Sequence, residues 1–246
     1  LNEFRYSGIV KKLIPFALNY LRMWDKVSAD RVDHYIANSG TVEKRINKYY
    51  GKSAQVIYPP VSVEPFFDTR YQGLEVKDYY LMLGRFLPYK HYDIVIEAFA
   101  KNGKVLKILG SGPEEKYLKE LAAGKSNIEF LGRLDDDEAR RYFTQAKAFI
   151  FPSEDDFGIV PVEAMAAGRP VIAYGAGGAL ETVREGETGV FFDEQTPDSV
   201  ERSLKQFEKM EFDSKKIRAH AKVFDKERFK QELSTFIETK LQDHLS

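Results

Sequence analysis

The sequence predicts an α/β protein with a doubly wound parallel sheet, joined to a helix-rich segment at its N-terminus. Three observations predict this fold. Strand and helix patterns alternate about every 20 residues from Asp78 onward. The strand patterns are short apolar runs without polar alternation, as expected of strands that helices cover on both faces. Glycine turns follow several of these runs, and the loops after the strands form the ligand crevice of such a sheet.

The first fifty residues predict more helix than strand. Leu13–Trp24 has apolar residues at helical spacing, with basic residues such as Lys12, Arg22 and Lys26 nearby. A basic amphipathic helix either lies on an anionic membrane or packs against a neighbouring part of the protein, and the second arrangement is the more common. The sequence leaves both open.

From Tyr79 onward the predicted strands and helices alternate along the chain. The strands are Tyr79–Leu83, Val105–Leu109, Ile128–Leu131, Ala148–Phe151 and Val171–Tyr174, and the helices are Tyr92–Ala100, Glu114–Ala123, Asp136–Ala146 and Val162–Ala167. Right-handed crossovers place every loop after a strand on one edge of the sheet. We therefore expect loops 84–91, 110–113, 152–160 and 174–179 to line a single crevice. Further amphipathic helices are predicted at Leu204–Phe207, Ile217–Phe224 and Phe229–Leu241.

Composition indicates an ordinary globular protein. The chain has 246 residues, of which 43% are hydrophobic and 30% charged, and its formal net charge is −1, so nucleic acid is not an expected partner. It contains no cysteine, hence no disulfide and no thiolate metal site. No apolar run approaches 18 residues, and no secretory signal is visible. We expect a soluble, cytoplasmic protein.

The most specific motif lies between Phe151 and Val183. Asp155 and Glu163 are separated by seven residues, and an A-A-G-R-P-V turn and a G-G-A-L-E turn that contains Gly178 follow them. This stretch resembles the signature of the retaining glycosyltransferases of family 4, which have the two-domain GT-B architecture and bind a nucleotide sugar in a Rossmann-like C-terminal domain. The family has Glu where this chain has Asp155. The resemblance implies that Asp155 holds the hydroxyls of the transferred sugar and that Glu163 binds the ribose.

Two other loops carry groups suited to a diphosphate. Gly84, Arg85 and Lys90 match the G-R-x-x-x-x-K element of the same family, and such cations stabilise the charge that develops on a diphosphate leaving group. Arg85, Lys90 and Asp155 are thus the predicted catalytic residues. The turn at Gly110 and Gly112 and the backbone around Phe157, Gly158 and Ile159 are predicted to bind the nucleotide. The predicted nucleotide-binding positions also include Gly84, Glu163 and Gly178. Gly132 and Arg133 are expected to approach the base.

The run of three aspartates at Asp135–Asp137 predicts a helix cap and not a metal site. Asp135–Asp137 contains the D-x-D pattern by which another glycosyltransferase class holds a divalent cation, but a helix pattern follows it directly. Acidic residues at a helix start bind its free N–H groups. We therefore expect capping, no metal and no cofactor.

The resemblance covers nearly the whole chain but only the rear two-thirds of a complete enzyme. It implies that residues 1–57 are a remnant of the acceptor domain, with a strand in Val32–Ser39 and a helix in Thr41–Tyr50. Residues 58–224 would be the donor domain, and residues 225–246 a helix that crosses back toward the first domain.

The implied reaction moves a sugar, with mannose from GDP-mannose as the best candidate, to a glycan or lipid-linked acceptor. Peripheral contact with the inner face of the membrane is then compatible with the basic helix. The alternatives are a non-catalytic nucleotide-sugar binding module, a truncated inactive relative and a GT-B epimerase.

Overall fold

The computed structural model describes residues 8–245, and side chains from residue 12 onward. The first seven residues of the predicted N-terminal remnant, and Ser246, lie outside the described residues. The chain divides into two compact units between Val56 and Ile57. Each unit has its own elements and is described by itself.

The N-terminal unit is small. It contains α1 (Gly8–Ala29), β1 (Tyr35–Ala37), α2 (Gly40–Tyr50) and β2 (Ala54–Val56), and the two strands pair in parallel. Ser39 caps α2 by accepting a hydrogen bond from the Val42 backbone N–H, and Gly51 ends the helix in the left-handed conformation. Apolar side chains of α1 are exposed, among them Phe16 and Trp24.

The second unit carries a six-stranded sheet and its helices. Its elements are β3 (Tyr80–Arg85), α3 (Tyr92–Asn102), β4 (Leu106–Ser111), α4 (Glu115–Leu121), β5 (Ile128–Gly132), α5 (Asp136–Gln145), β6 (Ala148–Phe151), α6 (Ile159–Ala166), β7 (Val171–Tyr174), α7 (Ala179–Thr182), β8 (Gly189–Phe192), α8 (Pro197–Phe207), α9 (Ser214–Ala221) and α10 (Lys226–Leu245). Short 3₁₀ turns lie at Glu64–Phe67, Thr69–Tyr71, Pro88–Lys90 and Lys222–Phe224. No helix among the described residues is both long and apolar enough to cross a membrane.

The sheet order is β5-β4-β3-β6-β7-β8, and all its pairings are parallel. From β3 the chain adds β4 and β5 toward one edge of the sheet. It then returns to the centre, where β6 pairs with β3, and adds β7 and β8 toward the other edge. This order confirms the predicted doubly wound sheet. Such a sheet binds ligands where the winding reverses, which here is the carboxyl end of β3 and β6.

The strands are apolar on both faces because both faces are covered. Leu81, Phe149 and Val171 face a core that includes Phe157 and Val162 of the loop and helix after β6. The alternate strand residues, such as Tyr80, Ile150 and Ile172, face a second core against α3 and α8. Each fully buried aliphatic or aromatic side chain contributes about 1.5–3 kcal/mol of burial free energy. The central strands therefore form a rigid base for the loops at their ends.

The structure differs from the sequence predictions at several boundaries. α6 begins at Ile159 rather than Val162, because Gly158 takes a left-handed conformation (φ 86°) and starts the helix early. In place of the predicted helix Ile217–Phe224, α9 ends at Ala221 and a 3₁₀ turn follows it. α9 begins earlier than predicted, at Ser214, because the Asp213 carboxylate caps its N-terminus. The predicted strand in Val32–Ser39 is only three residues long. The sequence reading missed β2, α7 and β8.

Candidate functional site

Glycines at the ends of β3 and β4 bring two loops into close backbone contact. A Cβ on Gly110 would lie 1.9 Å from the Gly84 carbonyl oxygen, and one on Gly112 would lie 2.4 Å from the Phe86 carbonyl oxygen. Gly110 also has φ 128°, which favours glycine. Only residues without a side chain permit this approach, so these positions shape the floor of the crevice.

The loops after β6 and β7 are joined in the same way. The Gly178 backbone N–H donates a hydrogen bond to the Asp155 carbonyl oxygen at 2.8 Å. A Cβ on Gly178 would lie 2.3 Å from the Phe157 Cα. Phe157 itself is buried and packs against Tyr58 and Phe224, with ring centroids 5.6 Å apart in both pairs. The predicted positions Asp155, Phe157 and Gly178 therefore form one rigid wall.

A cavity of about 360 Å³ opens at the ends of β3, β4 and β5. Gly84, Arg85, Gly110 and Arg133 line it, and Arg85 is exposed on its wall. The Arg133 Nε donates a hydrogen bond to the Ser111 Oγ at 2.8 Å, which holds the Arg133 guanidinium over this opening. A larger cavity of about 610 Å³ lies beside the segment that enters β8, at the amino end of that strand. The smaller cavity is the better candidate because the predicted charged loop borders it.

Lys90 and Asp155 meet where the winding of the sheet reverses. Lys90 ends the 3₁₀ turn after β3, and its Nζ donates to the Asp155 Oδ2 at 2.5 Å. Both side chains are largely buried, with 17% of Lys90 and 23% of Asp155 exposed. The Lys90 ammonium also lies 5.8 Å from the centroid of the Phe151 ring. Among the described residues the Asp155 Oδ1 is buried without a hydrogen-bond partner, so the carboxylate retains capacity for another donor.

The start of α6 supplies unused donors. Gly158 is its N-cap residue, and no side chain of the described chain caps the helix there. The N–H groups at the first turn of a helix lack intrahelical partners and attract anions. The helix therefore presents the Gly158–Ile159 backbone at the carboxyl end of β6, next to the Asp155 loop.

Glu163 lies one turn into α6 and lines a second cavity of about 300 Å³ with Ser62, Asp136 and Arg140. The two cavities share Asp136 as a lining residue. Burial raises the pKa of Glu163 from 4.5 to about 7; the negative charge of Asp136 adds to this rise, and the positive charge of Arg140 opposes it. A carboxyl group whose pKa is close to physiological pH is present in both its protonated and ionised forms, so it can donate or accept hydrogen bonds.

The three consecutive aspartates each have a separate structural role. Asp135 accepts a hydrogen bond from the Glu138 backbone N–H, which confirms its predicted role as the cap of α5. The Asp136 carboxylate contacts Arg140 at 3.3 Å, and the Asp137 carboxylate contacts Arg70 at 2.8 Å. Within residues 8–245 no group of three His, Cys, Asp or Glu side chains could hold a metal ion. The aspartates therefore stabilise α5 and its neighbour.

The structure thus brings the predicted site residues to one edge of the sheet, but it adds groups that the sequence reading missed. Asp136 and Arg140 line the cavity next to Glu163, and their four-residue separation at the start of a helix after a strand is a signal that could have found them.

Comparison with known proteins relates the chain to a family. The family described as "Glycosyl transferases group 1" matches residues 69–224. The chain is 28% identical to the O-antigen chain mannosyltransferase of Salmonella typhimurium over 80% of this chain and 61% of that protein. It is also 28% identical to the GDP-mannose-dependent alpha-(1-6)-phosphatidylinositol monomannoside mannosyltransferase of Mycobacterium tuberculosis, over 76% of this chain and 54% of that protein. The chain therefore spans between half and two thirds of the length of these relatives.

A solved structure shows the same fold. Sucrose-phosphate synthase from Thermosynechococcus elongatus superposes with a TM-score of 0.76 at 23% identity, covering 90% of this chain and 62% of that one. At this identity the likeness concerns the fold, and it agrees with the parallel sheet and flanking helices described above.

Proposed function

The chain belongs to the glycosyl transferases group 1 family and has a GT-B type of fold. On that premise we propose that it binds a nucleoside diphosphate sugar for transfer to an acceptor. The observation that carries this proposal is the meeting of Lys90 and Asp155 at the winding reversal of the sheet. A cation for the diphosphate and a carboxylate for sugar hydroxyls lie side by side there.

The proposed roles follow the order of groups along the crevice. Arg85 and Lys90 neutralise the diphosphate, and the open N–H groups at the start of α6 add hydrogen bonds to it. Asp155 accepts hydrogen bonds from the sugar through the oxygen that has no partner among the described residues. Glu163, in the adjoining cavity, takes the ribose, while the base enters the cavity between Gly110 and Arg133.

We further propose that the donor is GDP-mannose and that transfer retains the anomeric configuration. The names of the two mannosyltransferase relatives support mannose, and the Mycobacterium relative is named as GDP-mannose-dependent. Retention is supported by the resemblance of the Asp155–Glu163 spacing to the retaining family. A glycan or a lipid-linked sugar is the proposed acceptor.

Chemically, the site provides charge stabilisation at the leaving group. Negative charge grows on the bridging oxygen of the diphosphate as the bond to the sugar breaks, and the two preorganised cations stabilise that charge. Because Lys90 and Asp155 are largely buried, their interactions are stronger than the same groups would make in water. The acceptor oxygen forms the new bond to the anomeric carbon as the bond from that carbon to the diphosphate breaks. The hydroxyl proton passes to the departing diphosphate or to water, and the nucleoside diphosphate leaves.

Calorimetry of the 246-residue chain with GDP and UDP tests the binding step. We expect saturable binding of one nucleotide and a loss of at least tenfold in affinity for Arg85→Ala, because a charge-assisted hydrogen bond contributes about 1.5–3 kcal/mol. Arg202→Ala is the matched control, since Arg202 is an exposed arginine on α8 that pairs with Asp193. Equal affinity of all three proteins would remove Arg85 from the site, and no binding of either nucleotide would overturn the proposal.

A further inference from the structure

The Arg133 guanidinium is held in place at the end of β5. Arg133 follows Gly132, the last residue of β5, and its Nε donates a hydrogen bond to the Ser111 Oγ at 2.8 Å. Ser111 ends β4, and its carbonyl oxygen accepts a hydrogen bond from the Phe86 backbone N–H at 3.1 Å. Arg133 and Ser111 both line the cavity of about 360 Å³. The Ser111 hydroxyl therefore orients a cationic side chain at this cavity from a fixed point of the backbone.

The terminal nitrogens of this guanidinium are available to a ligand. Among the side chains that the structure describes, residues 12–245, Arg133 makes no second hydrogen bond and no ion pair. The acidic side chains that follow it have other partners, since Asp135 accepts the Glu138 backbone N–H and Asp136 contacts Arg140 at 3.3 Å. An arginine has only donors, and its planar guanidinium binds two adjacent acceptors at once. Arg133 can therefore make such a bidentate contact with a ligand in the cavity.

The place of Arg133 along the sheet edge suits the base of a nucleotide. β5, β4 and β3 lie side by side, and Ser111 is opposite Arg85 in the pairing of β4 with β3. Neighbouring strands are about 4.8 Å apart, so the end of β5 lies roughly 10 Å from the end of β3. Under the proposed function Arg85 binds the diphosphate, and the ribose between diphosphate and base spans a comparable distance. The base then lies beside Arg133.

The bases differ in the acceptors that they offer to such a side chain. Guanine has two neighbouring acceptors, O6 and N7, which one arginine binds together. Adenine has an amino donor next to its N7, and uracil has an N–H donor between its two carbonyl oxygens. Neither of these bases presents two adjacent acceptors. A side chain that only donates therefore favours guanine.

We infer that Arg133 is a specificity-determining residue for the base: its guanidinium donates to O6 and N7 of guanine, and Ser111 positions it. This role rests on the proposed function and assigns the choice of base to one side chain. The preference for guanine over uracil should then depend on Arg133, whereas binding of the diphosphate should not.

Calorimetric titration of the 246-residue chain with GDP, ADP and UDP tests this role. We expect wild type to bind GDP more tightly than ADP or UDP. Arg133→Ala and Arg133→Lys should each weaken GDP binding about tenfold and leave UDP binding within about twofold, because both lose the bidentate contact. Lysine keeps the charge, so it separates recognition of the base from attraction of the phosphates. Ser111→Ala should lower the ratio of GDP to UDP affinity about threefold, because the guanidinium loses its orientation.

Arg141→Ala is the matched control. Arg141 is an exposed arginine on α5 that contacts Asp137 at 3.2 Å and lines neither of the two cavities at the site. Its loss should leave both affinities unchanged. Arg133 is exposed as well, so its substitution should not disturb the fold, and equal melting temperatures of the variants would verify this.

Three outcomes would overturn the role of Arg133 and leave the proposed function intact. The first is an unchanged ratio of GDP to UDP affinity in Arg133→Ala, whether both affinities stay the same or fall equally. The second is full preference for GDP in Arg133→Lys, because charge alone would then suffice. The third is a wild-type chain that binds UDP or ADP more tightly than GDP. If the wild-type chain binds none of the three nucleotides, the proposed function itself fails, and the role of Arg133 with it.

Discussion

Replacing Glu163 by glutamine should stabilise the protein at neutral and alkaline pH while weakening nucleotide binding. Burial raises the pKa of Glu163 from 4.5 to about 7. Each unit by which the pKa rises corresponds to about 1.4 kcal/mol, so ionisation of Glu163 costs the folded state roughly 3 kcal/mol. Glutamine has nearly the same shape and no charge. It therefore removes this cost.

The sign of the pH dependence follows from proton linkage. Between pH 4.5 and 7 the unfolded chain has lost the Glu163 proton while the folded chain retains it. Unfolding then releases a proton, so the contribution of Glu163 to stability is fully present below pH 4.5 and is lost as the pH rises to 7. In Glu163→Gln this loss is absent, and the variant should gain about 2–3 kcal/mol over wild type between pH 5 and pH 8.

Urea denaturation followed by circular dichroism at pH 5 and pH 8 measures this difference. Glu120→Gln is the control, because Glu120 is an exposed helical glutamate, and its stability difference from wild type should change little with pH. Identical pH dependence of stability in wild type and Glu163→Gln would refute the reasoning. Under the proposed function, the same variant should bind nucleotide more weakly at pH 8, since an amide is a poorer acceptor for ribose hydroxyls than a carboxylate.

Four further outcomes are expected. Lys90→Ala should lower GDP affinity about 10- to 100-fold; unchanged calorimetric affinity for both GDP and UDP would remove this loop from the site. Under the proposed function, protein cations neutralise the diphosphate, so chelation by EDTA should leave nucleotide binding intact; a strict need for Mg²⁺ or Mn²⁺ would contradict this. Gly110→Ala should lower both thermal stability and nucleotide affinity, because its Cβ would lie 1.9 Å from the Gly84 carbonyl oxygen. In the control Gly73→Ala, where φ is also positive but the space around the Cβ is open, the loss of thermal stability should be much smaller than in Gly110→Ala. In any protein that contains this chain and transfers sugar, Asp155→Asn should reduce kcat by a larger factor than it reduces GDP affinity. A larger effect on GDP binding than on kcat would argue against a role at the sugar.

The central strands were predictable because their residues have few alternatives. Phe149 and Ile150 belong to a run without polar positions, and both faces of β6 are buried. β8 was not predictable in the same way, because it begins at Gly189 and its apolar run covers only Val190–Phe192. Its pairing with β7, as in Ile172 opposite Val190, depends on the fold and not on the local sequence.

The positions of the candidate site residues along the fold were predictable, but their contacts were not. The strand patterns place Arg85 and Lys90 at the end of β3 and Asp155 after β6. Lys90 and Asp155 are 65 residues apart, and only the adjacency of β3 and β6 brings them together.

Under the proposed function, the ion pair between Lys90 and Asp155 favours binding of the intact nucleotide sugar over the free nucleoside diphosphate or the free sugar. Under the proposed function, a free nucleoside diphosphate attracts Lys90 but leaves a largely buried carboxylate with fewer partners. A free sugar offers hydroxyls to Asp155 but does not compete for Lys90. Only the intact nucleotide sugar supplies an anion for Lys90 and hydroxyl donors for Asp155 together, so separation of the ion pair is offset on both sides. Movement of Lys90 from Asp155 to the diphosphate is then least costly when the sugar is in place.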